Sequence, residues 1–267
     1  MTNTPLVLDF TGFLVQFASD TGAKTLDCSK IGGAKLYCDP SAEEEIRSLV
    51  RPFAALGKTG IPECPARWID TGDYHYVSEI LAGETARPFD LLLLDNHSDT
   101  QRPSFGDILS CGGWVRTMLE RNPMLGKVVI VGMDPSLAES VSGFGPRIRV
   151  VTSDDIGKKE GDELEKTLSG IIESITSSND IYISIDKDVL DRKYYKTNWS
   201  QGTMSLPQLE AILETVGRGV RIVGVDVCGG PPADLVGEEM VNNLKTDLKL
   251  WNIIGNILNK QYICKIE

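Results

Sequence analysis

The chain has 267 residues, of which 41% are hydrophobic and 24% are charged, and its formal net charge is −11 at pH 7. This composition is ordinary for a globular protein of one large α/β domain or two small ones. The acidic balance argues against a nucleic-acid partner, because phosphate binding needs a basic surface. No apolar run approaches the roughly 20 residues of a membrane span, so no membrane partner is expected.

Two further observations predict a cytoplasmic protein. Residues 1–9 lack the basic start and the long apolar core of a signal peptide. Six cysteines are scattered along the chain without a Cys-x-x-Cys pair. At this chain length a disulfide framework is not expected, and the spacing gives no support for a zinc ribbon.

Predicted strands and helices alternate along the chain. Strands are expected at 5–10, 66–70, 89–94, 127–131, 147–152, 181–185 and 221–227. Helices are expected at 41–56, 76–81, 113–120, 162–174, 206–216 and 234–258. Ser41 is predicted to cap the first helix and Gly57 to end it, whereas 11–40 is expected to be irregular, with room for a short strand near 34–37. The alternation predicts an α/β fold with a largely parallel sheet, in a single domain over 1–267.

The strand at 89–94 ends in a polar cluster. Its four consecutive leucines, 91–94, are typical of a strand buried on both faces in the middle of a parallel sheet. Asp95, His97 and Asp99 follow at every second position, and in extended chain such residues share one face. Open α/β sheets bind ligands at the carboxyl ends of their strands. Two carboxylates and an imidazole are therefore expected to converge at such a site.

A second pair of acids follows the predicted strand at 181–185. Asp186 and Asp188 are again two positions apart, and the chain has only two histidines, His75 and His97. A lone Asp-x-His would most simply be a polar loop. So many carboxylates in one place would repel each other strongly without a cation, and metal ions explain the pattern more simply.

The residue types also indicate which metals. Oxygen donors with one imidazole for each ion suit Mn²⁺, Mg²⁺ or Fe²⁺ better than a thiolate zinc site. Two such ions about 3.5 Å apart, joined by a carboxylate, activate water for attack on an sp² carbon at neutral pH. No serine nucleophile is needed for that chemistry.

Three segments resemble motifs of the arginase–deacetylase superfamily, and within it those of the ureohydrolases (arginase, agmatinase and formiminoglutamase). They are Gly-Asp-Tyr-His at 72–75, Asp-Asn-His-Ser-Asp at 95–99, and Ser-Ile-Asp-Lys-Asp-Val-Leu-Asp at 184–191. The resemblance spans residues 72–232. It implies an arginase-like, three-layer α/β/α fold with a mostly parallel sheet of about eight strands.

The resemblance also implies a metal site. Two divalent ions, expected to be Mn²⁺, would be bound by His75, Asp95, His97, Asp99, Asp186 and Asp188. Asp95 and Asp186 would bridge the ions. His75 and Asp99 would complete the coordination of one ion, and His97 and Asp188 that of the other. Asp99 would also be catalytic. The deacetylase branch retains only one of these sites, so the presence of both His75 and Asp99 favours two ions.

The chain departs from the family pattern at three positions. Cys111 stands where the family often has a proton-shuttling histidine, and we assign it to the catalytic set in that place. Gly229 stands where a glutamate grips the guanidinium of the substrate, and Arg192 replaces the usual proline after Asp191. Losing a carboxylate that pairs with a cation weakens recognition. Arginine and agmatine are therefore not the expected substrates.

Two other side chains are candidates for binding substrate. Arg102 lies just beyond the metal cluster and could clamp a substrate carboxylate, or it could be a solvated loop residue. Trp199 follows the second acid pair and could line the pocket, or it could simply pack its own loop. The sequence leaves both alternatives open.

Three functions remain in view at this stage. The first is a two-metal hydrolase that acts on a linear C–N bond, in an amidine, guanidine or amide, of a small-molecule substrate. The second is a non-catalytic protein that retains the metals for ligand binding or regulation. The third is a deacetylase-like amidohydrolase with a single zinc ion. A homo-oligomer is compatible with each of them.

Overall fold

The computed structural model describes residues 4–54, 64–103, 106–175 and 180–263. The strands are β1 (Leu6–Asp9), β2 (Lys24–Asp27), β3 (Tyr37–Cys38), β4 (Ala66–Ile69), β5 (Phe89–Leu94), β6 (Leu109–Ser110), β7 (Leu125–Met133), β8 (Ile148–Thr152), β9 (Asp180–Asp186) and β10 (Arg221–Cys228). The helices are α1 (Val15–Thr21), α2 (Pro40–Ala54), α3 (Val77–Gly83), α4 (Trp114–Arg121), α5 (Ser153–Ile156), α6 (Gly161–Ile175), α7 (Leu206–Gly219) and α8 (Glu238–Ile263). Short 3₁₀ helices span Gly72–Tyr74 and Lys187–Val189, and 3₁₀ turns interrupted by non-helical backbone at Gly145 span Pro135–Arg147.

Eight of the strands form one sheet in the order β2-β1-β4-β10-β9-β5-β7-β8. Every neighbouring pair in this sheet is parallel. Parallel neighbours require crossover connections, which helices supply here. β3 and β6 form a separate antiparallel ribbon. The predicted α/β fold with a largely parallel sheet of about eight strands is confirmed.

Helices cover both faces of the sheet. On one face, Leu91 and Leu93 of β5 belong to a core that includes side chains of α2, α3 and α4. On the other face, Leu92 and Leu94 belong to a core with α1, α5, α6, α7 and α8. The leucine run of β5 is therefore apolar throughout because it faces two cores. The three-layer α/β/α architecture is confirmed.

The strand order brings the polar strand ends together. β5 and β9 are neighbours in the middle of the sheet, and Leu94 pairs with Ile185. Asp95 follows Leu94 and Asp186 follows Ile185, so these two acids lie side by side at the carboxyl edge of the sheet. On the other side of β9, Cys228 of β10 pairs with Asp186. The sheet thus fixes the centre of the candidate site.

The segment 11–40 is more regular than predicted. It contains α1, β2 and the whole of β3, which falls near the short strand expected at 34–37. β2 is an edge strand whose residues are mostly exposed, and α1 buries only Phe17. Neither element has the apolar periodicity on which a sequence-based prediction depends. Their order comes instead from pairing with β1 and packing on the sheet.

The start of α2 also differs from the prediction. The helix begins at Pro40, and the carboxylate of Asp39 accepts hydrogen bonds from the N–H groups of Ser41 and Ala42 at 3.0 and 2.9 Å. Asp39, rather than Ser41, therefore satisfies the free N–H groups of the first turn. The predicted stop at Gly57 lies outside the described residues.

The described helices and cysteines bear on two further expectations. No helix in the described ranges combines the length and the apolar character that crossing a membrane demands. Five cysteines fall within those ranges, and all five are buried and free of disulfide bonds. Cys264 lies outside the described residues.

Candidate metal centre

The first group of predicted ligands follows β5. The Asp95 carboxylate accepts a hydrogen bond from the His97 N–H at 2.6 Å, which closes a tight turn. Asp99 has a φ of 50°, in the left-handed region that non-glycine residues rarely adopt. The alternation of Asp95, His97 and Asp99 predicted an extended segment, but the structure shows that this segment turns. The Val115 N–H of α4 donates to the Asp99 carbonyl at 3.0 Å, which joins this segment to the start of that helix.

The second group lies at the end of β9. Asp186 ends the strand. Its carboxylate caps the 3₁₀ turn Lys187–Val189 by accepting the N–H of Asp188 at 3.0 Å. The Asp188 carboxylate in turn accepts the N–H of Asn96 at 3.1 Å. The two ligand-bearing turns are thus hydrogen-bonded to each other, although they are far apart in sequence.

His75 joins the cluster from the segment after β4. It follows the 3₁₀ turn Gly72–Tyr74, and its side chain is 2% exposed. Its Nδ1 lies 2.9 Å from an Asp99 oxygen, 3.3 Å from an Asp186 oxygen and 3.4 Å from an Asp95 oxygen. His75, Asp95 and Asp99 have ligand atoms close enough together to bind one ion.

His97 forms a second group on the other side of Asp95. Its Nδ1 lies 2.9 Å from an Asp188 oxygen and 3.4 Å from the second Asp95 oxygen. Asp95, His97 and Asp188 also have ligand atoms close enough together for one ion. The structure therefore brings all six predicted ligand residues into one cluster, with Asp95 common to both groups.

One atom tests whether the cluster suits metal ions. Asp95 Oδ2 is buried and has no hydrogen-bond partner among the residues that the structure describes. A buried polar atom without a partner is costly in a native protein. Its neighbours are a histidine nitrogen and carboxylate oxygens, which are the donors that Mn²⁺ and similar ions prefer. The residues present fit a pair of divalent ions that share Asp95.

The electrostatics of the cluster point the same way. Burial, and next the charge of Asp188, raise the pKa of Asp186 to about 7 and that of Asp95 well above its usual range. Burial alone would lower the pKa of each histidine, but the hydrogen bond to Asp99 and the nearby acids raise that of His75 to about 10. Hydrogen bonds to Asp188 and Asp95 raise that of His97 to about 12. Protons would thus neutralise the acids in the absence of cations, and divalent ions would displace them.

Polar side chains behind the first group hold its histidine in place. His75 Nε2 lies 3.1 Å from the Ser184 hydroxyl, which donates to an Asp226 oxygen at 2.7 Å. Ser78 donates to the same oxygen at 2.9 Å. Such contacts orient a metal-binding imidazole. Ser184 belongs to the third motif, but nothing in the sequence indicated that it would contact His75.

Two more supporting residues were not predicted. The Trp114 indole N–H donates to Asp99 Oδ2 at 2.6 Å, the same oxygen that His75 approaches. On the other side, His97 Nε2 lies 2.8 Å from the hydroxyl of Ser200. Trp114 opens α4 and Ser200 lies in the loop after β9. No local pattern signals either contact.

Lys187 stands between two of the candidate ligands and is fully buried, with 0% of its side chain exposed. Its ammonium donates to Asp247 of α8 at 2.7 Å and to the Tyr195 hydroxyl at 2.8 Å. The turn that carries Asp186 and Asp188 is therefore fixed to α8 by a buried ion pair.

The predicted substrate residues lie in different environments. Trp199 is 38% exposed, its ring meets the His97 ring edge-on at 5.9 Å, and its indole N–H donates to Asp73 at 3.0 Å. Trp199 is thus beside the metal cluster. Arg102 is exposed on the segment after Asp99.

Cys111 is buried next to the cluster. Its N–H donates to the Leu36 carbonyl at 3.0 Å, which links it to the segment before β3. Burial, and next the charge of Asp99, raise the pKa of its thiol to about 12. The thiol is therefore protonated at neutral pH, and a thiolate role would require a lowered pKa.

Gly229 follows β10 and has a φ of 89°. A Cβ atom at this position would lie 2.4 Å from Asp186 Oδ1 and 3.0 Å from the Lys187 nitrogen. A side chain at 229 therefore requires both an unfavourable backbone conformation and displacement of a candidate ligand. The backbone conformation and the close contacts at this position both favour glycine.

Comparison with known proteins identifies the family. The model of the arginase family matches residues 72–240. The chain belongs to the arginase family. It is 28% identical to an uncharacterized protein of Thermotoga maritima over 226 residues, covering 84% of this chain and 79% of that protein.

Solved structures share the fold. The formimidoylglutamase of Bacillus subtilis superposes with a TM-score of 0.68 at 13% identity, over 96% of this chain and 87% of that one. The arginase of Bacillus subtilis gives 0.65 at 16% identity, over 94% and 98%. The proclavaminate amidino hydrolase of Streptomyces clavuligerus gives 0.60 at 22% identity, over 81% and 68%. This arginase-family member thus has the ureohydrolase fold.

Proposed function

We propose that the protein is a two-metal hydrolase that cleaves a linear C–N bond in an amidine, guanidine or amide, with Mn²⁺ as the expected metal. The observation that carries the proposal is Asp95, whose two oxygens face two separate groups of ligand atoms. When bound, the pair of ions would supply an activated water and polarise the carbon to be attacked. The single-ion deacetylase alternative does not account for the complete second group.

The chain's own residues have distinct proposed roles. Asp95 and Asp186 would hold the two halves of the centre together, and Asp99 would accept the proton released during attack. The Trp114 indole N–H, which donates to Asp99 Oδ2, would keep that carboxylate in position for the role. Cys111 stays a proposed catalytic residue in the place of the family's histidine, and burial, which raises the pKa of its thiol to about 12, favours a role in the protonated form.

We propose further that neither arginine nor agmatine is the substrate. In the family pattern a glutamate at the position of Gly229 would pair with the guanidinium. The close approach of Gly229 to Asp186 and its positive φ support the absence of any side chain there. Among the candidate groups a neutral amide is therefore favoured, because amidines and guanidines are cationic at neutral pH.

The second candidate is a non-catalytic protein that uses the metals for ligand binding. Cys111 and Gly229 favour it, because both stand where the family has residues that act on substrate. A cytoplasmic location is part of either proposal.

Metal analysis and a substrate panel test the proposal together. We expect close to two equivalents of metal per chain in protein purified without chelator, and, after Mn²⁺ loading, release of ammonia from one or more amides or amidines or of urea from a guanidine other than arginine and agmatine. Two equivalents with no release from the panel would favour the non-catalytic protein. One equivalent would favour the deacetylase-like alternative. Turnover of arginine at about 1 per second, an ordinary enzyme rate, would contradict the assignment of Gly229.

A further inference from the structure

A cavity of about 340 Å³ lies next to the metal cluster. Thr71 and Asp73 on its wall flank Gly72, where a Cβ atom would lie 3.5 Å from Asp186 Oδ2. Pro231 on the opposite wall is two residues from Gly229, which also approaches Asp186. Both walls are thus continuous in sequence with residues that touch a candidate metal ligand.

Trp199 contacts residues of both the cavity wall and the metal cluster. Its ring packs on Gly72, where a Cβ atom would be only 2.7 Å from Cδ1, and its other neighbour is the His97 ring. Its indole N–H is held by Asp73 on the cavity wall. A substrate with its reacting carbon at the metals would therefore pass Trp199 and extend its remaining atoms into the cavity.

The acid in this cavity is already engaged. One Asp73 oxygen accepts hydrogen bonds from Trp199 at 3.0 Å and from the Asn198 amide at 3.2 Å, and the other lies 3.6 Å from the Lys35 ammonium. A cationic substrate would have to compete with all three donors. The cavity is therefore a poor site for a positively charged tail.

Lys35 is the one cationic side chain among the described residues that line the cavity. Its side chain is 70% exposed, and its contact with Asp73 is long. Ion pairs of this exposed kind contribute little to stability, so the ammonium is free to turn towards an anion at the rim.

Part of the cavity wall is apolar. That part consists of Phe13, Pro231, Pro232 and Met240. Phe13 packs against Gly230, where a Cβ atom would lie 2.6 Å from the ring. The glycine thus makes room for an aromatic wall next to the end of β10, and that wall suits methylene groups.

We propose that this cavity binds the tail of the substrate, and that the tail is a short aliphatic chain ending in a carboxylate held by Lys35. The substrate class is then a small ω-carboxy amide, neutral where it reacts and anionic at its far end. This inference rests on the proposed function for the position of the reacting group. Specificity would come from the apolar wall together with the single cation.

Matched amides of equal length test the tail site. Succinamate and glutaramate carry the anionic tail, β-alaninamide and γ-aminobutyramide carry a cation, and butanamide and pentanamide are neutral. Dissociation constants for protein loaded with Mn²⁺ would be measured by calorimetry, with KM used where a compound is hydrolysed. We expect the anionic amides to bind roughly tenfold or more tightly than the cationic ones, with the neutral amides between them.

Lys35→Gln should remove this discrimination and Lys35→Glu should reverse it. Lys30→Gln, which removes another exposed lysine from the same segment, should leave it unchanged. The tail site is overturned if the three series bind equally, if none binds, or if Lys35→Gln behaves like Lys30→Gln. Discrimination by Lys35 without any hydrolysis would leave the tail site standing and contradict the hydrolase. Hydrolysis that is insensitive to Lys35→Gln would support the hydrolase and contradict the tail site.

Discussion

The two halves of the metal centre are built in different ways. His75 is 2% exposed, and behind it Ser184 and Asp226 lie on neighbouring strands of the sheet. His97 is 23% exposed, and its supporting hydroxyl belongs to Ser200 in an exposed loop. The half with His75 is thus part of the core, whereas the half with His97 is closed by a loop.

This difference bears on how each ion would be held. Rigid, buried supporting groups keep a ligand in position and cannot be replaced by water, whereas an exposed hydroxyl can be. We therefore expect the ion of the His75 half to be bound tightly and the ion of the His97 half to exchange. Asp95 and Asp186 would be common to both halves. Four experiments address this comparison, from the largest expected effect to the smallest.

The first experiment removes what the halves share. Asp95→Ala and Asp186→Ala should each lose close to both equivalents of metal, because each change takes a negative ligand from both ions. His75→Ala and His97→Ala should lose about one equivalent each, because water can fill the vacancy in one shell only. Elemental analysis after identical dialysis measures this. Equal losses from all four variants would refute the bridging roles.

The second experiment disturbs the turn that carries Asp186 and Asp188. Lys187→Met leaves Asp247 buried without its partner, which should lower the free energy of unfolding by about 3–5 kcal/mol. The double variant Lys187→Met/Asp247→Leu should recover most of that loss. Urea unfolding in the presence of chelator separates this effect from metal binding. A double variant no more stable than the single one would show that the charge pair is not the cause.

The third experiment compares the two supporting hydroxyls. Ser184→Ala should weaken binding of one ion by roughly 10–100-fold, the usual effect of losing such a partner. Ser200→Ala should have a smaller effect, because water can reach His97 and take the place of the hydroxyl. Competition titrations with a metal indicator would report both affinities. Larger weakening from Ser200→Ala would reverse the proposed order of the halves.

The fourth experiment concerns the loop alone. Trp199→Ala should speed the release of one ion to chelator severalfold and leave the other unchanged, because the indole ring meets the ring of His97, whereas the ring of His75 packs on Trp114. Trp199→Phe keeps a ring but loses the hydrogen bond to Asp73, so its release rate should fall between those of the parent protein and Trp199→Ala. Stopped-flow release to a coloured chelator measures the rates. Acceleration of both phases would mean that Trp199 covers the whole centre.

Much of the fold was predictable because it depends on local pattern. The leucines of β5 and the apolar run of β9 identify central strands, since both faces of those strands are covered by helices. The segment 11–40 was not predictable in the same way. β2 exposes most of its side chains, so its sequence carries no alternation, and its hydrogen bonds to β1 are what order it.

The candidate ligands were also visible in the sequence, but their support was not. The spacing of Asp95, His97 and Asp99 reflects a short stretch of chain, which local chemistry constrains. The contact of His75 with Ser184 joins residues 109 positions apart, and it exists only because β4, β10 and β9 are neighbours in the sheet. The hydrogen bond between Trp199 and Asp73 likewise joins residues far apart in sequence, at a separation of 126 positions.

By itself, the sequence determined the kind of sheet, the strands at its centre and the six side chains fit to hold cations, because periodicity and residue chemistry act over a few positions. The tertiary structure alone decided that Asp95 meets Asp186, through the pairing of Leu94 with Ile185. It also decided that Asp99 turns through a left-handed conformation and that one half of the centre is buried while the other faces a loop. Those features depend on strand order and packing, which no short stretch of sequence encodes.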